Sequence, residues 1–576
     1  MRKEIPKIIQ TFSEIIRDDM LYADKTEYIY NLIKKIKVCF LCRPRRFGKS
    51  LLLSAIESLF SGDRDLFKGL WIDSSDYTFQ KHPVIRLSMD YAKSAKPGML
   101  ENKILFSLQS IGESEGLSIS DLSFDIAFSE LVKQLYDKYN NFQKAAGNDQ
   151  DRQEPVRKVV ILIDEYDAPI IDYLNNSKVA VANHETLHDF YRGFKNLDNY
   201  IRFVFVTGIS QAGRASLGQI TNNIVDISLR SEYAGICGFT LQDLDSLFAD
   251  RYEETLNALI ANKKMRPDAT VADLRKKLLH WYDGYVSDGE TPFDETASDK
   301  PIRVLNPFSI VQFFEEKSFN DFWFQAGPAT FLANLIAKDP DSFMFKKPLI
   351  ASQRSLKSFI PASYSPIPIL FQTGYLTLKD VFLEADDTTF SLKLPNMEVE
   401  RGYSWSLYQA CFGYEDVSVL FTIGKKFKTA ILNHDTASVE KILETALAKL
   451  SSEQHIPVEK YYHSLIKAFL GGMGVDARSQ VSSSMGESDL DLVFSDNVYV
   501  FIEVKFEKEP DESSTMTIED KRGKARVLAK KAIEQITQKE RSNHYASQAK
   551  KIVEVGLGIF GRSKVGVILR DGATAS

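Results

Sequence analysis

The residues best suited to chemistry lie near the C-terminus, where Glu503 and Lys505 follow an apolar run at residues 498–501. Two acidic residues, Asp489 and Asp491, precede that run. Because side chains alternate along a strand, Glu503 and Lys505 point to one face, where an acidic residue of the preceding strand can meet them. Two carboxylates can hold a hard divalent cation, and a neighbouring lysine can polarise a water molecule or a phosphate oxygen. The pattern therefore predicts a metal-dependent phosphodiesterase.

A bare Glu-x-Lys pattern has a commoner explanation, a surface ion pair on an exposed strand. Two further segments favour chemistry here. Glu459 opens an amphipathic segment that extends to Phe469, and Gln535 lies in a second helical segment, residues 532–536. With these residues in this order, the C-terminal region resembles the PD-(D/E)xK nuclease superfamily. The resemblance implies that Glu459 joins the metal site and that Gln535 approaches it from a later helix.

Two acidic residues compete for one position in this pattern. The superfamily's Gly-x-x-Asp motif selects Asp489, which follows Gly486. The apolar run at residues 492–494 and the spacing to Glu503 favour Asp491. Both acids point to the same strand face, so both stay candidates and Asp491 is preferred. The candidate metal ligands here are Glu459, Asp489, Asp491 and Glu503, and the candidate catalytic residues are Asp491, Glu503, Lys505 and Gln535.

A second region that could do chemistry begins at residue 38. Residues 38–42 are an apolar run that predicts a buried strand, and a loop ending in Gly-Lys-Ser separates it from an apolar helix at residues 51–60. Strand, loop and helix in this order are the context of a P-loop. The loop and the helix N-terminus would cradle phosphates, Lys49 would reach the β- and γ-phosphates, and Ser50 would hold Mg²⁺. The candidate nucleotide-binding residues of this loop are Arg45, Arg46, Phe47, Gly48, Lys49, Ser50 and Leu51.

The loop departs from the P-loop pattern at its first position, where Arg43 replaces glycine. The residues alone leave a second interpretation open, an ordinary basic loop that caps a helix. A partner motif favours the P-loop. An apolar run at residues 159–163, typical of a parallel strand buried on both faces, ends in Asp164 and Glu165. In P-loop ATPases the Asp at this position holds Mg²⁺ through water, and the following Glu polarises the attacking water.

A third apolar run, residues 203–206, continues into polar residues that end at Ser210. A polar side chain at this strand end could sense the γ-phosphate. Parallel strands end at one edge of their sheet, and α/β sheets bind ligands at that edge. The sequence therefore predicts an ATP site where the three strands end.

Many short motifs in one order extend the resemblance to nearly the whole chain, which is similar to AAA-ATPase-like proteins fused to a PD-(D/E)xK nuclease domain. The resemblance implies ATP binding together with a predicted nuclease. It makes Arg43 the usual form of the loop. Gln211 stands where relatives usually carry Lys, which argues against a sensor role for Ser210. Further stretches that carry the resemblance are residues 22–26, expected near the adenine, 233–240, 281–285, 306–309 and 371–376.

Composition bounds the class of protein. The 576 residues allow three or four domains, and 44% hydrophobic and 26% charged residues are ordinary for soluble globular proteins. No apolar run approaches the roughly 20 residues of a membrane helix, and the N-terminus lacks the apolar segment of a signal peptide. Four cysteines do not make a disulfide framework, and Cys39 and Cys42 fall in and just after a predicted buried strand. The expected location is the cytoplasm.

The charge of the chain is uneven. A net charge of −6 argues against indiscriminate binding to nucleic acid. Residues 521–526, with Lys530 and Lys531, are nevertheless strongly basic and could contact phosphates beside the nuclease site. The alternative is a solvated helix face. The three arginines of the P-loop suit nucleotide phosphates better than DNA.

These observations predict an α/β protein with a P-loop, AAA-like ATPase core and a helical lid, followed by a restriction-endonuclease-like α/β domain. The predicted ATPase core spans residues 1–240, and the lid spans residues 241–350. Residues 351–455 form a connecting region. Its alternating strands at residues 351–400 fit a winged-helix-like element, and residues 401–455 are predicted to be helical. Residues 456–576 form the nuclease-like domain.

Two functions fit these domains. The first is an ATP-regulated nuclease with ATP and Mg²⁺ as cofactors, for which DNA is favoured over RNA as the substrate. Binding or hydrolysis of ATP would move the C-terminal domain or assemble several chains into a homo-oligomer. The second is a nucleotide-dependent switch or scaffold with a catalytically silent nuclease fold. The retained Asp, Glu, Lys and Gln favour the first, whereas the negative net charge and the ambiguous Asp favour the second.

Overall fold

The chain divides into two compact units in the computed structural model. The first comprises Met1–Trp323 and Leu349–Asn396, and the second Phe324–Pro348 and Met397–Ser576. Among the described residues, no helix combines the length and the apolar character needed to span a membrane. The structure describes residues 2–7, 9–90, 98–119, 122, 124–145, 156–173, 176–211, 224–293, 300–325, 336, 349–357, 366–383, 387–412, 417–449, 459–472, 477–479, 490–494, 498–510, 516–538 and 549–572.

The first unit combines a parallel sheet, two smaller sheets and their helices. Its described strands are β1 (Val38–Cys42), β2 (Val84–Ser88), β3 (Val159–Asp164), β4 (Ile201–Gly208), β5 (Val225–Asp226), β6 (Phe239–Thr240), β7 (Tyr285–Val286), β8 (Arg303–Leu305), β9 (Leu349–Ser352), β10 (Thr377–Leu383) and β11 (Thr388–Lys393). Its described helices are α1 (Phe12–Arg17), α2 (Thr26–Lys35), α3 (Lys49–Phe60), α4 (Met99–Ser114), α5 (Phe124–Ala145), α6 (Ala168–Ile171), α7 (Ser177–Arg192), α8 (Leu241–Leu247), α9 (Tyr252–Ala261), α10 (Val271–Tyr282), α11 (Pro307–Glu316), α12 (Phe322–Gln325, at the crossing into the second unit), α13 (Gln353–Leu356) and α14 (Pro366–Thr373).

Five parallel strands form the central sheet in the order β2-β3-β4-β1-β5. Every residue of β1 and β3 is buried, as expected for strands with both faces covered. Cys42 pairs with Gly208 and Ser88 pairs with Asp164, so four strands end at the same edge. The prediction of a P-loop-like α/β core is confirmed.

Helices α8–α11 share an apolar cluster in this unit, with Leu244, Leu274 and Leu278 fully buried. Thr240 and Asp243 form a capping box that starts α8. Two small antiparallel sheets, β6-β8-β7 and β10-β11-β9, accompany these helices. The predicted lid region is thus largely helical, and the proposed domain boundaries stay predictions.

The second unit is a mixed sheet covered by helices. Its described helices are α15 (Met397–Phe412), α16 (Val417–Leu432), α17 (Thr436–Leu447), α18 (Glu459–Gly472) and α19 (Ile518–Gln538), and its described strands are β12 (Ala477–Ser479), β13 (Leu490–Phe494), β14 (Val498–Glu507), β15 (Lys551–Phe560) and β16 (Lys564–Asp571). The strand order is β12-β13-β14-β15-β16, with β14 and β15 parallel and the other pairs antiparallel. Val500, Ile502 and Val504 share one apolar core with α15–α18.

Helix α19 packs unusually close to β15 because two glycines face it. A β-carbon at Gly556 would lie 2.3 Å from the Ala529 carbonyl oxygen, and one at Gly558 would lie 2.0 Å from that of Ala525. Any larger residue would push the helix away from the strand. The pair Gly556 and Gly558 therefore fixes α19, which carries Gln535, against the sheet.

The edge strand β16 is covered by acidic side chains of α17. Glu440 accepts a hydrogen bond from Val567 N at 3.1 Å, and Glu444 accepts one from Val565 N at 3.3 Å. Two arginines of α19 neutralise these carboxylates. Arg526 lies 3.2 Å from Glu440 and Arg522 lies 3.0 Å from Glu444. Part of the basic run at residues 521–526 therefore serves the fold rather than phosphate binding.

We expect the Glu444 carboxylate to make stability depend on pH. Burial favours its neutral form, but Arg522 and the Val565 amide favour the anion more and hold the Glu444 pKa below its usual value. A lowered folded-state pKa adds stability above the unfolded pKa, and this is lost as pH falls through the folded value. Glu444→Gln should lower the melting temperature at pH 7 but have progressively less effect toward pH 3. The exposed Glu519→Gln is the control, and a pH-independent difference for Glu444→Gln would contradict the assignment.

Candidate functional site

The loop between β1 and α3 has the form of a phosphate-binding loop. Gly48 caps α3 with φ +89°, a left-handed conformation that side chains disfavour. Lys49 begins the helix, and Ser50 and Leu51 follow half-buried in its first turn. The N-terminal N–H groups of α3 therefore lie at the end of β1, where they can donate to phosphate oxygens.

Lys49 is bound to its own loop. Its ammonium donates to the Arg43 carbonyl oxygen at 3.0 Å and to the Pro44 carbonyl oxygen at 2.9 Å, and the residue is 7% exposed. Carbonyls are weaker acceptors than charged phosphate oxygens. Lys49 can therefore exchange these carbonyls for a phosphate.

Arg43 points beneath the loop rather than toward a ligand. Its guanidinium donates to the carbonyl oxygens of Cys42 at 2.9 Å, Ser228 at 2.6 Å and Tyr233 at 3.2 Å, and the residue is 2% exposed. The arginine that replaces the first P-loop glycine is therefore a structural brace for the loop.

The other predicted residues of the loop divide between solvent and core. Arg45 is exposed and pairs with Asp172 at 3.1 Å. Arg46 is also exposed and lies over the ring of Phe308, with 5.2 Å between the guanidinium carbon and the ring centroid. Phe47 is buried instead. Both exposed arginines therefore keep N–H donors that could also reach a ligand.

The end of β3 places two acidic residues at the sheet edge that carries the loop. Asp164 is 5% exposed and accepts a hydrogen bond from Glu165 N at 3.0 Å. Glu165 has φ +50°, which a non-glycine residue seldom adopts. Burial, and then the carboxylates of Asp164 and Asp90, raises the pKa of Glu165 to about 7. Glu165 is thus suited to accept a proton near neutral pH.

Asp167, which sequence reasoning did not single out, ties two strand ends together. It accepts hydrogen bonds from Ser210 Oγ at 2.5 Å, Ser210 N at 2.7 Å and Ile209 N at 3.2 Å. Burial raises the pKa of Asp167, and these donors oppose that rise. The Ser210 hydroxyl therefore serves as a hydrogen-bond donor to the buried Asp167 carboxylate. Asp167 stands three residues after Asp164, and a second Asp so close to the end of β3 is the signal that could have indicated this contact.

An open cleft of the first unit includes the stretch expected near the adenine. Residues 22–25 line it together with Trp71 and Thr240. Lys25 is fixed in its wall by Asp243, with 2.7 Å between the ammonium and the carboxylate. The cleft offers aromatic and polar groups, and an adenine site beside residues 22–26 stays a prediction.

In the second unit, Asp491 and Glu503 lie on one face of the sheet. Asp491 pairs directly with Phe501, and Glu503 is two residues further along β14, so all three side chains share that face. Asp491 is 6% exposed and Glu503 is 1% exposed. Carboxylate oxygens are preferred ligands of hard divalent cations, so this donor set suits such an ion.

Lys505 connects this pair to helix α18. Its ammonium lies 3.9 Å from Glu503 and 3.1 Å from Glu459, the first residue of α18. The other Glu459 oxygen accepts a hydrogen bond from Phe506 N at 3.3 Å. The predicted metal ligand Glu459 is therefore a partner of Lys505 in this structure.

Gln535 is the other predicted residue of this site that the structure describes. Gln535 is half-buried on α19, on the same helical side as the buried residues Leu528 and Ala532. Asp489 lies outside the residues that the structure describes. Within the described ranges, no three His, Cys, Asp or Glu side chains converge on a metal position. The case for a metal therefore depends on Asp491 and Glu503.

Comparison with known proteins identifies two separate regions of the chain. The family model described as a predicted AAA-ATPase matches residues 6–218, and that of the PD-(D/E)XK nuclease superfamily matches residues 458–567. A relative from Azotobacter chroococcum mcd 1, described as an uncharacterized protein in the vnfD 5′ region, is 30% identical over 527 residues. The match covers 90% of this chain and 93% of that protein. No solved structure matches the chain significantly.

Removing the Ser210 hydroxyl should destabilise the first unit. Ser210→Ala takes a donor from the buried Asp167 carboxylate, a loss that typically costs about 1–3 kcal/mol. We expect a lower urea midpoint with an unchanged slope when the full chain is unfolded. Ser114→Ala is the matched control, because the exposed Ser114 hydroxyl bonds only within its own helix among the contacts described. Equal midpoints for the two variants would contradict the role of Ser210.

Proposed function

The chain belongs to the family of predicted AAA-ATPases that carry a C-terminal PD-(D/E)XK nuclease superfamily domain, and we propose that it is an ATP-regulated, Mg²⁺-dependent nuclease that cuts DNA. The observation that carries this proposal is the burial of Asp491 and Glu503 on one sheet face, with Lys505 beside them. Carboxylates from two neighbouring strands on one face are ligands that Mg²⁺ accepts. The proposal places the protein in the cytoplasm, where it would meet DNA and ATP.

Each residue of the nuclease site has a proposed role. Asp491 and Glu503 would hold one or two Mg²⁺ ions, which supply positive charge to the phosphate and lower the pKa of bound water. Lys505 would orient the attacking water or a phosphate oxygen. Glu459 would restrain the Lys505 ammonium, and Gln535 would approach from α19. Asp489 stays a candidate ligand.

The nucleotide site would work with residues from three strand ends. Lys49 and the N–H groups that begin at Gly48 would bind the phosphates. Ser50 and Asp164 would hold Mg²⁺. Glu165 would accept a proton from the attacking water, for which a pKa of about 7 is well matched. ATP would thereby set the state of the nuclease, either within one chain or in a homo-oligomer.

Loss of the Glu503 charge should abolish cleavage but spare ATP binding. Glu503→Gln keeps the shape of the side chain and weakens its affinity for Mg²⁺. We expect cleavage of plasmid or single-stranded DNA to fall by about 100-fold or more, since even partners of metal ligands change activity by about 10–100-fold. The measurement is a gel assay with Mg²⁺ or Mn²⁺, with and without ATP.

The exposed Glu519→Gln serves as the control for this assay. Equal cleavage by wild type and Glu503→Gln would assign the activity to a contaminant. Absence of cleavage by the wild type, with ATP still bound, would favour the alternative of a nucleotide-dependent switch with a silent nuclease fold. The ambiguity between Asp489 and Asp491 is the specific observation behind that alternative.

Loss of the Lys49 ammonium should weaken ATP binding under both functions. We expect Lys49→Ala to raise the dissociation constant at least about tenfold, or ~1.4 kcal/mol, as titration calorimetry would show. Lys37→Ala is the control, because Lys37 is a lysine at the start of β1 whose ammonium pairs with Asp198 at 2.6 Å. Unchanged affinity in Lys49→Ala would remove the P-loop assignment.

A further inference from the structure

Three consecutive carbonyls of the P-loop are held by two side chains. Lys49 binds the carbonyl oxygens of Arg43 and Pro44, and the indole N–H of Trp323 donates to that of Arg45 at 3.1 Å. Trp323 is fully buried. A nucleotide that draws Lys49 to its phosphates takes away two of these three restraints. Of the contacts made by Lys49 and Trp323, only the hydrogen bond from Trp323 to the Arg45 carbonyl oxygen then stays.

Trp323 is also the last residue of the first unit before the chain crosses into the second. Its neighbour Phe324 belongs to the second unit, and both residues lie in the single-turn helix α12. Because they are joined by a peptide bond inside one helical turn, a displacement of Trp323 must move Phe324. The crossing is therefore a mechanical link that requires no further contact.

Within the second unit, Phe324 packs on helix α15. A β-carbon at Gly402 would lie 2.3 Å from Phe324 Cδ2, so the ring fits directly against the helix backbone. Helix α15 begins at Met397, the first residue after another crossing of the chain. Two of the three crossings therefore lead into α15.

Helix α15 in turn contacts α18, the helix whose Glu459 pairs with the Lys505 ammonium. Glu400 of α15 pairs with Lys467 of α18 at 2.9 Å, and both side chains are half-buried. Helix α18 begins at Glu459, which lies 3.1 Å from the Lys505 ammonium. A shift of α18 along its axis would change the distance from Glu459 to Lys505.

We propose that Trp323 and α15 form the link through which ATP at the P-loop controls Lys505. The inference rests on the proposed function and names its means of regulation. In this structure the Lys49 ammonium is hydrogen-bonded to the loop carbonyls, and the Glu459 carboxylate is paired with the Lys505 ammonium. Binding of ATP releases the loop, Trp323 carries the change into α12, and α15 and α18 transmit it to Glu459. Trp323 and Glu459 are positioning residues, since neither touches the substrate.

The test uses the full chain and two matched pairs of variants. Trp323→Phe keeps an aromatic ring but loses the donor to Arg45, and its control is Trp281→Phe, whose ring packs on Phe319. Gly402→Ala displaces the Phe324 ring. Its control is Gly523→Ala, a helix glycine whose added β-carbon meets nothing within 4 Å. The paired substitutions change helix propensity alike.

Two measurements are made on each variant. Hydrogen–deuterium exchange of residues 397–412 and 459–472, with and without ATP, reports the link without any need for cleavage. The ratio of DNA cleavage with ATP to cleavage without it reports its effect on the site. We expect ATP to alter exchange in both segments of the wild type and to change cleavage about fivefold or more. In Trp323→Phe and Gly402→Ala both effects should vanish while ATP binding persists.

The outcomes separate this inference from the proposed function. ATP binding without a change in exchange in either segment of the wild type would overturn the link. An unaltered ATP response in Trp323→Phe and Gly402→Ala would overturn it as well. Failure of the wild type to bind ATP or to cleave DNA would instead overturn the proposed function. An ATP-dependent exchange response without cleavage would support the link while rejecting the nuclease.

Discussion

The nucleotide loop depends on one buried cation. The Arg43 guanidinium lies under the loop, where burial lowers the Arg43 pKa, and its hydrogen bonds go to the backbone carbonyls of Cys42, Ser228 and Tyr233. A charge removed from water is tolerated only when such acceptors surround it. These carbonyls come from the end of β1 and from the segment after β5, so the same contacts fix the sheet edge. The position of Lys49 follows from that brace, because Lys49 binds the Arg43 carbonyl.

The second unit also buries a charged side chain, but there the charge is negative. Glu503 is almost fully buried, and Lys505 lies between it and Glu459. The ammonium is closer to Glu459, which is the more exposed of the two carboxylates. Asp491 and Glu503 together place two carboxylates on one face of the sheet. Carboxylate oxygens are the ligands that a hard divalent cation prefers, which is why we propose a metal site here.

Sequence reasoning succeeded where the signal is local. Apolar runs followed by polar residues identified the strand that precedes Lys49 and the strands that carry Asp164 and Glu503, because burial on both faces leaves a continuous apolar pattern. It did not identify the bonds of Ser210 to Asp167 or of Lys505 to Glu459, since residues far apart in the chain meet there only after folding. The basic run at residues 521–526 shows the same limit. Charge alone suggested phosphate contacts, whereas two of its arginines neutralise glutamates that cover a strand edge.

Each unit is built from two separate stretches of the chain, so the chain passes between the units several times. The second unit takes residues 324–348 from within the sequence of the first, and its core includes Tyr408, Phe427 and Val439 from helices that precede the nuclease-like sequence. A fragment limited to residues 456–576 would expose the sheet face that those side chains cover, at a cost of about 25 cal/mol for each Å² of apolar surface. The sheet that carries Asp491 and Glu503 is therefore completed by α15–α17. Because α15 also packs on the opposite face of this sheet, the proposed link would reach the strands that carry Asp491 and Glu503 through packing that the fold already requires.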